Sequence, residues 1–240
     1  MATEAAAEGN HAFLAPGVNR PGCLGQDAGM RDWAQWHTGY DDPSSFLSAR
    51  LRAVRARLAQ AIDMAPAGPL QLVSLCAGQG RDVIGVLSDH PRRGDVRALL
   101  VEFDPGIAEV ARESAARAEL PQVEVRVADA GEVTRFRDAL PADLLLLCGI
   151  FGNVSDDDIR RTVEAAPALC RPGATVIWTR HRRAPDLTPR IREWFTTSGL
   201  DEVGFDALAT DGLMAVGTNR LARDQVPRLP EGRLFSFRHG

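Results

Sequence analysis

The sequence has few of the residues that mark a metal centre, a disulfide-bonded domain or a membrane protein. Its four cysteines are isolated, with no Cys-x-x-Cys pair and no histidine at metal-ligand spacing. No apolar run approaches a membrane span, and the N-terminus lacks the apolar segment of a signal peptide. We therefore predict no metal site, no membrane contact, and free, buried thiols in a cytoplasmic protein.

Positive charge is also in deficit. The chain has 28 basic against 32 acidic residues, a net charge of -4, which gives no general attraction to nucleic acid or anionic lipid. Nucleic acid is therefore not an expected partner. The remaining composition, 45% hydrophobic and 25% charged over 240 residues, is typical of one globular domain with a sizeable core. Nothing in the composition indicates an oligomeric state.

Three segments are predicted along the chain. Residues 1–30 are rich in Ala, Gly and Pro without periodicity, which is typical of a flexible tail. Residues 31–66 contain a short aromatic stretch and then an amphipathic helix over 45–63, and we predict a helical lid there. Residues 67–240 form the main domain. The aromatic stretch contains Trp33, Trp36, His37 and Tyr40. The helix contains four arginines, which we interpret as a solvated face: Arg50, Arg52, Arg55 and Arg57.

The most informative stretch is 70–87. A short apolar run stops before Gly78 and Gly80, and an apolar pattern of helical spacing begins at Arg81, which predicts a strand, a tight loop and a helix. Without Cβ atoms, such a loop lets a ligand lie on the backbone at the positive end of the helix. A nucleotide-like ligand is therefore expected. A dinucleotide fingerprint would need a third glycine where Val83 stands, which disfavours a nucleotide-dependent reductase.

Distinctive residues also end the next three predicted strands. They are Glu102 at the end of 98–102, the pair Asp129-Ala130 after 123–127, and the pair Cys148-Gly149 after 142–147. Alternating strands and helices predict a parallel sheet covered on both faces. In such sheets a ligand lies outside the carboxyl ends of the strands, which is where these residues fall.

The alternation continues to the end of the chain. The remaining predicted elements are a helix after Ser155 that stops at Arg171-Pro172-Gly173, a strand over 174–179, a helix over 187–198, and a hairpin of 203–208 with 213–221 around Asp211-Gly212. The tail at 233–237 is predicted as an extra edge strand.

Together these strand ends resemble the class I, Rossmann-like S-adenosylmethionine-dependent methyltransferases over residues 70–220. The resemblance implies an α/β fold with a doubly wound, mostly parallel seven-stranded sheet, a C-terminal antiparallel hairpin and an N-terminal helical lid. It also implies S-adenosylmethionine as the cofactor and S-adenosylhomocysteine as its product. In that family the Gly-x-Gly loop meets the methionine part, the acid after the second strand holds the ribose diol, the Asp-plus-small pair meets adenine, and the loop after the fourth strand lies near the methyl.

Carried over residue by residue, these family roles imply cofactor contacts at Ala77, Gly78, Gly80, Glu102, Asp129, Ala130, Cys148 and Gly149. Their neighbours Cys76, Arg81, Asp82 and Phe103 are further candidate contacts. Tyr40 is another, because N-terminal segments of the family often close over the site. Two departures from the family pattern are Ser74 and Cys76, where an acid and a glycine are usual. Arg81 and Asp82 are expected to take over polar contacts to the amino-acid end of the cofactor.

Methyl transfer from a sulfonium requires alignment of nucleophile, methyl and sulfur, exclusion of water and, for some substrates, removal of a proton. His37 and His181 are the candidate catalytic bases. Candidate substrate contacts are Trp33, Trp36, Asn153 and Arg180. The basic stretch 180–183 is suited to a carboxylate or phosphate, although a solvated loop has the same composition. Packing of the tryptophans and Tyr40 on the core is the alternative for the aromatic stretch.

The leading hypothesis is a methyltransferase acting on an N, O or C atom of a small molecule. The stretch 150–153 lacks the Asn/Asp-Pro-Pro-Tyr motif of base N-methyltransferases, which disfavours methylation of DNA adenine. An RNA or protein methyltransferase is the alternative that the stretch 180–183 suggests. A non-catalytic, methyltransferase-like binding protein is the alternative that Ser74 and Cys76 suggest.

Overall fold

The computed structural model describes residues 40–209, 213–222 and 228–238. Predictions for the tail at 1–30, for Trp33, Trp36 and His37, and for the Asp211-Gly212 turn lie outside these residues. Within them, no helix is long and apolar enough to cross a membrane.

Strands and helices alternate along the described chain. The strands are β1 (Leu70–Leu75), β2 (Val96–Glu102), β3 (Val123–Val127), β4 (Ala142–Leu147), β5 (Cys170–His181), β6 (Leu200–Ala207) and β7 (Met214–Leu221). The α-helices are α1 (Phe46–Met64), α2 (Arg81–Leu87), α3 (Pro105–Arg117), α4 (Asp156–Leu169) and α5 (Thr188–Thr197). As predicted, the helix that begins after Ser155 has ended before Arg171-Pro172-Gly173. That segment already belongs to β5, which begins at Cys170 and not at the predicted position 174.

The strands form one sheet of seven in the order β3-β2-β1-β4-β5-β7-β6. β1 to β5 are parallel, whereas β7 runs antiparallel between β5 and β6. The predicted doubly wound, mostly parallel sheet with a C-terminal antiparallel pair is confirmed. The carboxyl ends of β1 to β5 therefore meet along one edge, where the predicted site residues are found.

Apolar side chains cover both faces of the sheet. In β4, Leu144 and Leu146 pack on the α1–α3 side, and Leu145 and Leu147 pack on the α4–α5 side. Two buried faces explain why β4 reads as an unbroken apolar run. On the α4–α5 side, the fully buried Trp178 stacks on Phe195 at 5.7 Å between ring centroids.

Helix α1, the described part of the predicted lid segment, packs on the sheet through Val54, Leu58 and Ile62. Its arginines are not a solvated face, so that interpretation is wrong for three of the four residues: Arg50, Arg55 and Arg57. Arg50 is only 8% exposed, and the Arg55 side chain donates to the Arg81 carbonyl. Arg57 donates twice to Asp206 of β6, at 2.7 and 2.6 Å. Arginine packs its apolar stem against the protein while its guanidinium donates to acceptors on neighbouring elements. Helical periodicity in the sequence does not reveal such contacts.

Arg55 joins α1 to the first turn of α2. Its Nε and Nη2 donate to the Arg81 carbonyl at 2.9 and 2.5 Å, and its guanidinium lies directly against Gly85. We expect Arg55→Met to lower the free energy of unfolding by about 1.5–3 kcal/mol, because two charge-assisted hydrogen bonds are lost. Urea denaturation measures the change. Arg52→Met is the control: Arg52 is exposed, and its substitution should change stability by less than about 0.5 kcal/mol. Equal effects of the two substitutions would contradict the role of Arg55.

The C-terminal segment 233–238 does not extend the sheet, so the predicted edge strand is wrong. It makes only isolated bridges, Glu132 with Arg233 and Val154 with Phe237. Leu234 and Phe235 are each 1% exposed, and Leu234 N donates to the Gly131 carbonyl at 2.8 Å. The segment buries its apolar side chains over the carboxyl edge of the sheet, where loop carbonyls satisfy its backbone.

Candidate functional site

The loop after β1 has a backbone that requires glycine. Cys76, Gly78 and Gly80 all have positive φ, at 54°, 58° and 66°. A Cβ on Gly80 would lie 2.6 Å from Leu100 Cδ2 and 2.8 Å from Ile84 Cδ1. Gly80 N donates to the Ala77 carbonyl at 3.0 Å, which closes the turn just before α2. Gly80, the residue before α2, has no side chain to cap the helix, and Asp82 Oδ1 accepts from Val83 N in the first turn at 2.8 Å.

Glu102 fixes this loop to the end of β2. Its Oε2 accepts from Gly78 N at 2.8 Å, and its Oε1 accepts from Phe103 N and Asp104 N at 2.9 and 3.0 Å. Oε1 therefore uses both of its lone pairs, whereas Oε2 retains accepting capacity for one further donor. Glu102 is not a helix cap: Asp104 caps α3, by accepting from Gly106 N and Ile107 N. Phe103 is 74% exposed, an open aromatic surface beside the acid.

The loop after β3 contains a second oriented acid. Asp129 Oδ1 accepts from Gly131 N at 2.8 Å, and Asp129 Oδ2 accepts from Arg233 Nη1, also at 2.8 Å. Arg233 in addition donates to Glu132 Oε1 at 2.9 Å, while Ala130 is buried beneath. Sequence reasoning missed Arg233, because no local pattern links two residues separated by 104 positions.

On the α1 side of the loop lies a buried polar cluster. The Tyr40 hydroxyl accepts from Arg50 Nη2. Burial raises the pKa of Tyr40 above its ordinary value, and the Arg50 charge acts in the opposite direction. Burial likewise raises the pKa of Asp82, opposed by its hydrogen bond from Val83 N and by the charges of Arg50 and Arg55. The cluster therefore places an acid and a cation side by side.

Arg81 connects Tyr40 and Asp41 to the glycine loop. Its Nη1 donates to Asp41 Oδ1 at 2.8 Å and its Nε to Gln79 Oε1 at 2.7 Å. Its guanidinium carbon lies 5.4 Å from the centroid of the Tyr40 ring, a cation–π distance. The chain entering α1 is thereby held beside the predicted cofactor loop.

Both cysteines at the strand ends are protonated thiols. Burial raises the pKa of Cys148, and the Asp82 charge adds to this effect. Burial also raises the pKa of Cys76, helped by Glu102 and Asp129. Since the thiolate is the nucleophile, neither cysteine is suited to nucleophilic catalysis.

Hydrogen bonds from Gly149 N and Asn153 Nδ2 fix the conformation of the loop after β4. Gly149, at φ 79°, donates from its N to Thr179 Oγ1 at 2.9 Å. Asn153 Nδ2 donates to the Gly149 carbonyl at 2.7 Å. Asn153, predicted as a substrate contact, therefore also shapes the loop that would face the substrate.

Arg180 and His181 end β5 against the same loop. Arg180 Nη1 donates to the Phe151 carbonyl. Within the described chain, Arg180 Nε and His181 Nδ1 are buried and have no hydrogen-bond partner. Burial and the charges of Arg180 and Arg183 hold the pKa of His181 below its ordinary value. His181 is therefore a neutral imidazole at neutral pH, able to accept a proton.

The depressed pKa of His181 can be measured directly. We expect a two-dimensional NMR titration of the imidazole to give a pKa below the usual 6.5. Because protonation is disfavoured in the folded state, His181 should make stability fall as the pH drops below about 6.5, and His181→Gln should reduce that fall. An imidazole pKa at or above 6.5 would contradict the environment described here.

The described site residues therefore fall into neighbouring groups along one edge of the sheet. The glycine loop and Glu102 lie at the ends of β1 and β2, with Asp129 and Ala130 beyond them after β3. Tyr40 and Asp82 flank the loop on the α1 side, and Arg180 and His181 lie with the loop after β4. The candidates Trp33, Trp36 and His37 lie outside the described residues.

A seven-stranded sheet in this order, with an antiparallel seventh strand and a glycine loop after the first, is the fold of the class I S-adenosylmethionine-dependent methyltransferases. Among solved structures, the chain is similar to magnesium protoporphyrin IX methyltransferase from Synechocystis with bound S-adenosylmethionine. That match has a TM-score of 0.60 and 11% identity, and covers 78% of this chain and 90% of that one.

Two further structures share the fold. An O-methyltransferase family protein from Burkholderia thailandensis matches with a TM-score of 0.56 and 17% identity over 75% of this chain. An O-methyltransferase family 2 protein from Planctomyces limnophilus, in complex with apigenin, matches with a TM-score of 0.54 and 21% identity over 72% of this chain. The match spans 59% of each of those two chains. Comparisons with protein-family models and with curated proteins find no match.

Proposed function

We propose that this protein is an S-adenosylmethionine-dependent methyltransferase that acts on a small molecule. The observation that best supports the proposal is the Glu102 carboxylate, which bonds Gly78 N at 2.8 Å and thereby joins the glycine loop to the end of β2. A carboxylate at the end of the second strand, beside a glycine loop, is suited to accept a hydrogen bond from a ribose diol.

The residues present fit the cofactor. The three positive φ angles in the loop shape a backbone cradle that would hold the methionine part of the cofactor. In the α1-side cluster, Asp82 is suited to the cofactor's ammonium group, and Arg50 with Tyr40 is suited to its carboxylate. Phe103 offers its exposed face to adenine and Asp129 an acceptor for the adenine amino group. When bound, the cofactor supplies an electrophilic methyl group on a sulfonium.

The chain's own contribution to the reaction is alignment, exclusion of water and, where the substrate requires it, proton removal. His181 is our first candidate for the base, because it is neutral and lies at the end of β5 against the loop after β4. His37 remains the second candidate. Because burial raises the pKa of both thiols, Cys76 and Cys148 stay protonated and are not proposed as bases.

A small-molecule substrate is supported by the net charge of -4 and by the apigenin bound to the Planctomyces protein. The magnesium protoporphyrin IX methyltransferase is named for another small molecule. The free thiols of Cys76, Cys148 and Cys170 support our proposal of a cytoplasmic location. The basic stretch 180–183 favours an RNA or protein substrate as the second candidate.

Incubation with methyl-labelled S-adenosylmethionine and a fractionated cell extract tests the proposal. We expect label to appear in a low-mass product that is separated from S-adenosylmethionine itself. The amount of this product should be lower with Glu102→Ala. Label confined to the RNA or protein fraction would establish the second candidate instead. No transfer to any fraction, with no binding of the cofactor, would establish a methyltransferase-like binding protein without this activity.

A further inference from the structure

Arg180 is a half-buried cation that forms no direct ion pair with a carboxylate of the described residues, and the charges of Asp156 and Asp186 act on it from farther away. Its Nη1 donates to a neutral carbonyl, that of Phe151, and its Nε is buried without a partner. Its desolvation is strong enough to lower the pKa of the guanidinium. A partly desolvated cation with no direct ion pair and an unpaired donor is suited to a site that an anionic ligand completes.

The nearby acids are engaged elsewhere. Asp186 Oδ1 accepts from Thr188 N and Thr188 Oγ1 at 2.9 and 2.7 Å, and Asp186 Oδ2 accepts from Arg182 at 3.4 Å. Asp156 Oδ1 lies 3.9 Å from Arg238 Nη2. With Arg183 exposed as well, the end of β5 has an excess of positive charge.

The end of β5 also contacts the loop that would face the reacting group. Thr179 accepts from Gly149 N, and Arg180 donates to Phe151. A Cβ on Gly152 would lie 3.7 Å from His181 Cδ2. Thr179 and Arg180 thus bond to this loop and His181 lies beside it, and His181 also has a buried polar atom without a partner, Nδ1.

We propose that the substrate has an anionic group, a carboxylate or a phosphate, which Arg180 binds beside the methyl acceptor. The inference rests on the proposed function and adds the chemical class of its substrate. The planar fork of a guanidinium matches the paired oxygens of either anion, and partial burial strengthens the pairing. His181 remains next to this anion as the proposed base.

Calorimetry on the protein saturated with S-adenosylhomocysteine tests the inference. Sodium phosphate and sodium benzoate are titrated separately at constant ionic strength maintained with sodium chloride. We expect at least one anion to bind the wild type and to bind Arg180→Met about tenfold or more weakly. Arg180→Lys, which keeps the charge but loses the planar fork, should be intermediate. The anion that binds more tightly distinguishes a phosphate from a carboxylate substrate.

Arg182→Met is the matched control. It removes the same charge two positions from Arg180, and Arg182 is already paired with Asp186. It should retain anion binding close to that of the wild type. Equal losses in both variants, or no binding of either anion to the wild type, would overturn the inference. Binding of S-adenosylhomocysteine distinguishes failure of the proposed function from failure of this inference. If the wild type does not bind it, the proposed function is overturned. If both the wild type and Arg180→Met bind it, both proteins are folded and the anion titrations test the inference alone.

Discussion

Glu102→Ala is expected to weaken binding of S-adenosylmethionine and S-adenosylhomocysteine about ten- to more than a hundredfold. The substitution removes the proposed acceptor of the ribose diol, and charge-assisted hydrogen bonds of this kind contribute about 1.5–3 kcal/mol. It also leaves Gly78 N, Phe103 N and Asp104 N without their carboxylate acceptor. Loosening of the glycine loop should add to the loss. Calorimetric titration of both ligands measures the change.

Glu124→Ala is the control for this prediction. Glu124 lies on β3, and its exposed carboxylate pairs with Arg126 at 2.7 Å, away from the glycine loop. The same chemical change there should leave cofactor affinity near that of the wild type. If Glu102→Ala folds and still binds both ligands as tightly as Glu124→Ala does, Glu102 is not the ribose acceptor.

Gly80→Ala is expected to lower the free energy of unfolding by about 2–5 kcal/mol. An alanine at φ 66° is strained by about 1–2 kcal/mol. Its Cβ would also enter the space of Leu100 and Ile84, at 2.6 and 2.8 Å, and overpacking of that kind costs about 1–3 kcal/mol. Urea denaturation measures the sum.

Gly149→Ala separates the two causes. Gly149 has φ 79°, but a Cβ there would meet nothing within 4 Å, so only the backbone strain of about 1–2 kcal/mol applies. The difference between the two variants therefore measures the close packing of α2 on β2. Equal destabilisation would show that Leu100 and Ile84 move aside freely, against the packing described here.

Local patterns were sufficient to predict the elements that build the site. The sequence bounds for the helix 81–87 and the strand 123–127 agree with α2 and β3, because glycines and polar residues end short apolar runs there. The seven-stranded topology came from the resemblance, which the order of the strand-end residues supported. That order is also why the sequence places Gly78, Glu102 and Asp129 at the carboxyl edge of the sheet, as the structure does.

Contacts between distant segments could not be predicted in the same way. Arg57 reaches Asp206 across 149 positions, and Arg233 reaches Asp129 across 104. Each arginine is indistinguishable in sequence from one that points into solvent. The predicted edge strand at 233–237 is wrong for a related reason. Its apolar residues are as typical of a strand as of a packed loop, and only the tertiary structure shows that they are buried over the edge of the sheet.

Titration of the wild-type protein with S-adenosylhomocysteine is the most direct test of the central claim, that this edge of the sheet binds the cofactor. We predict a saturable heat with one ligand per chain, and a ligand-dependent rise in the temperature of thermal unfolding. No heat and no change in unfolding temperature, with either S-adenosylhomocysteine or S-adenosylmethionine, would contradict the account.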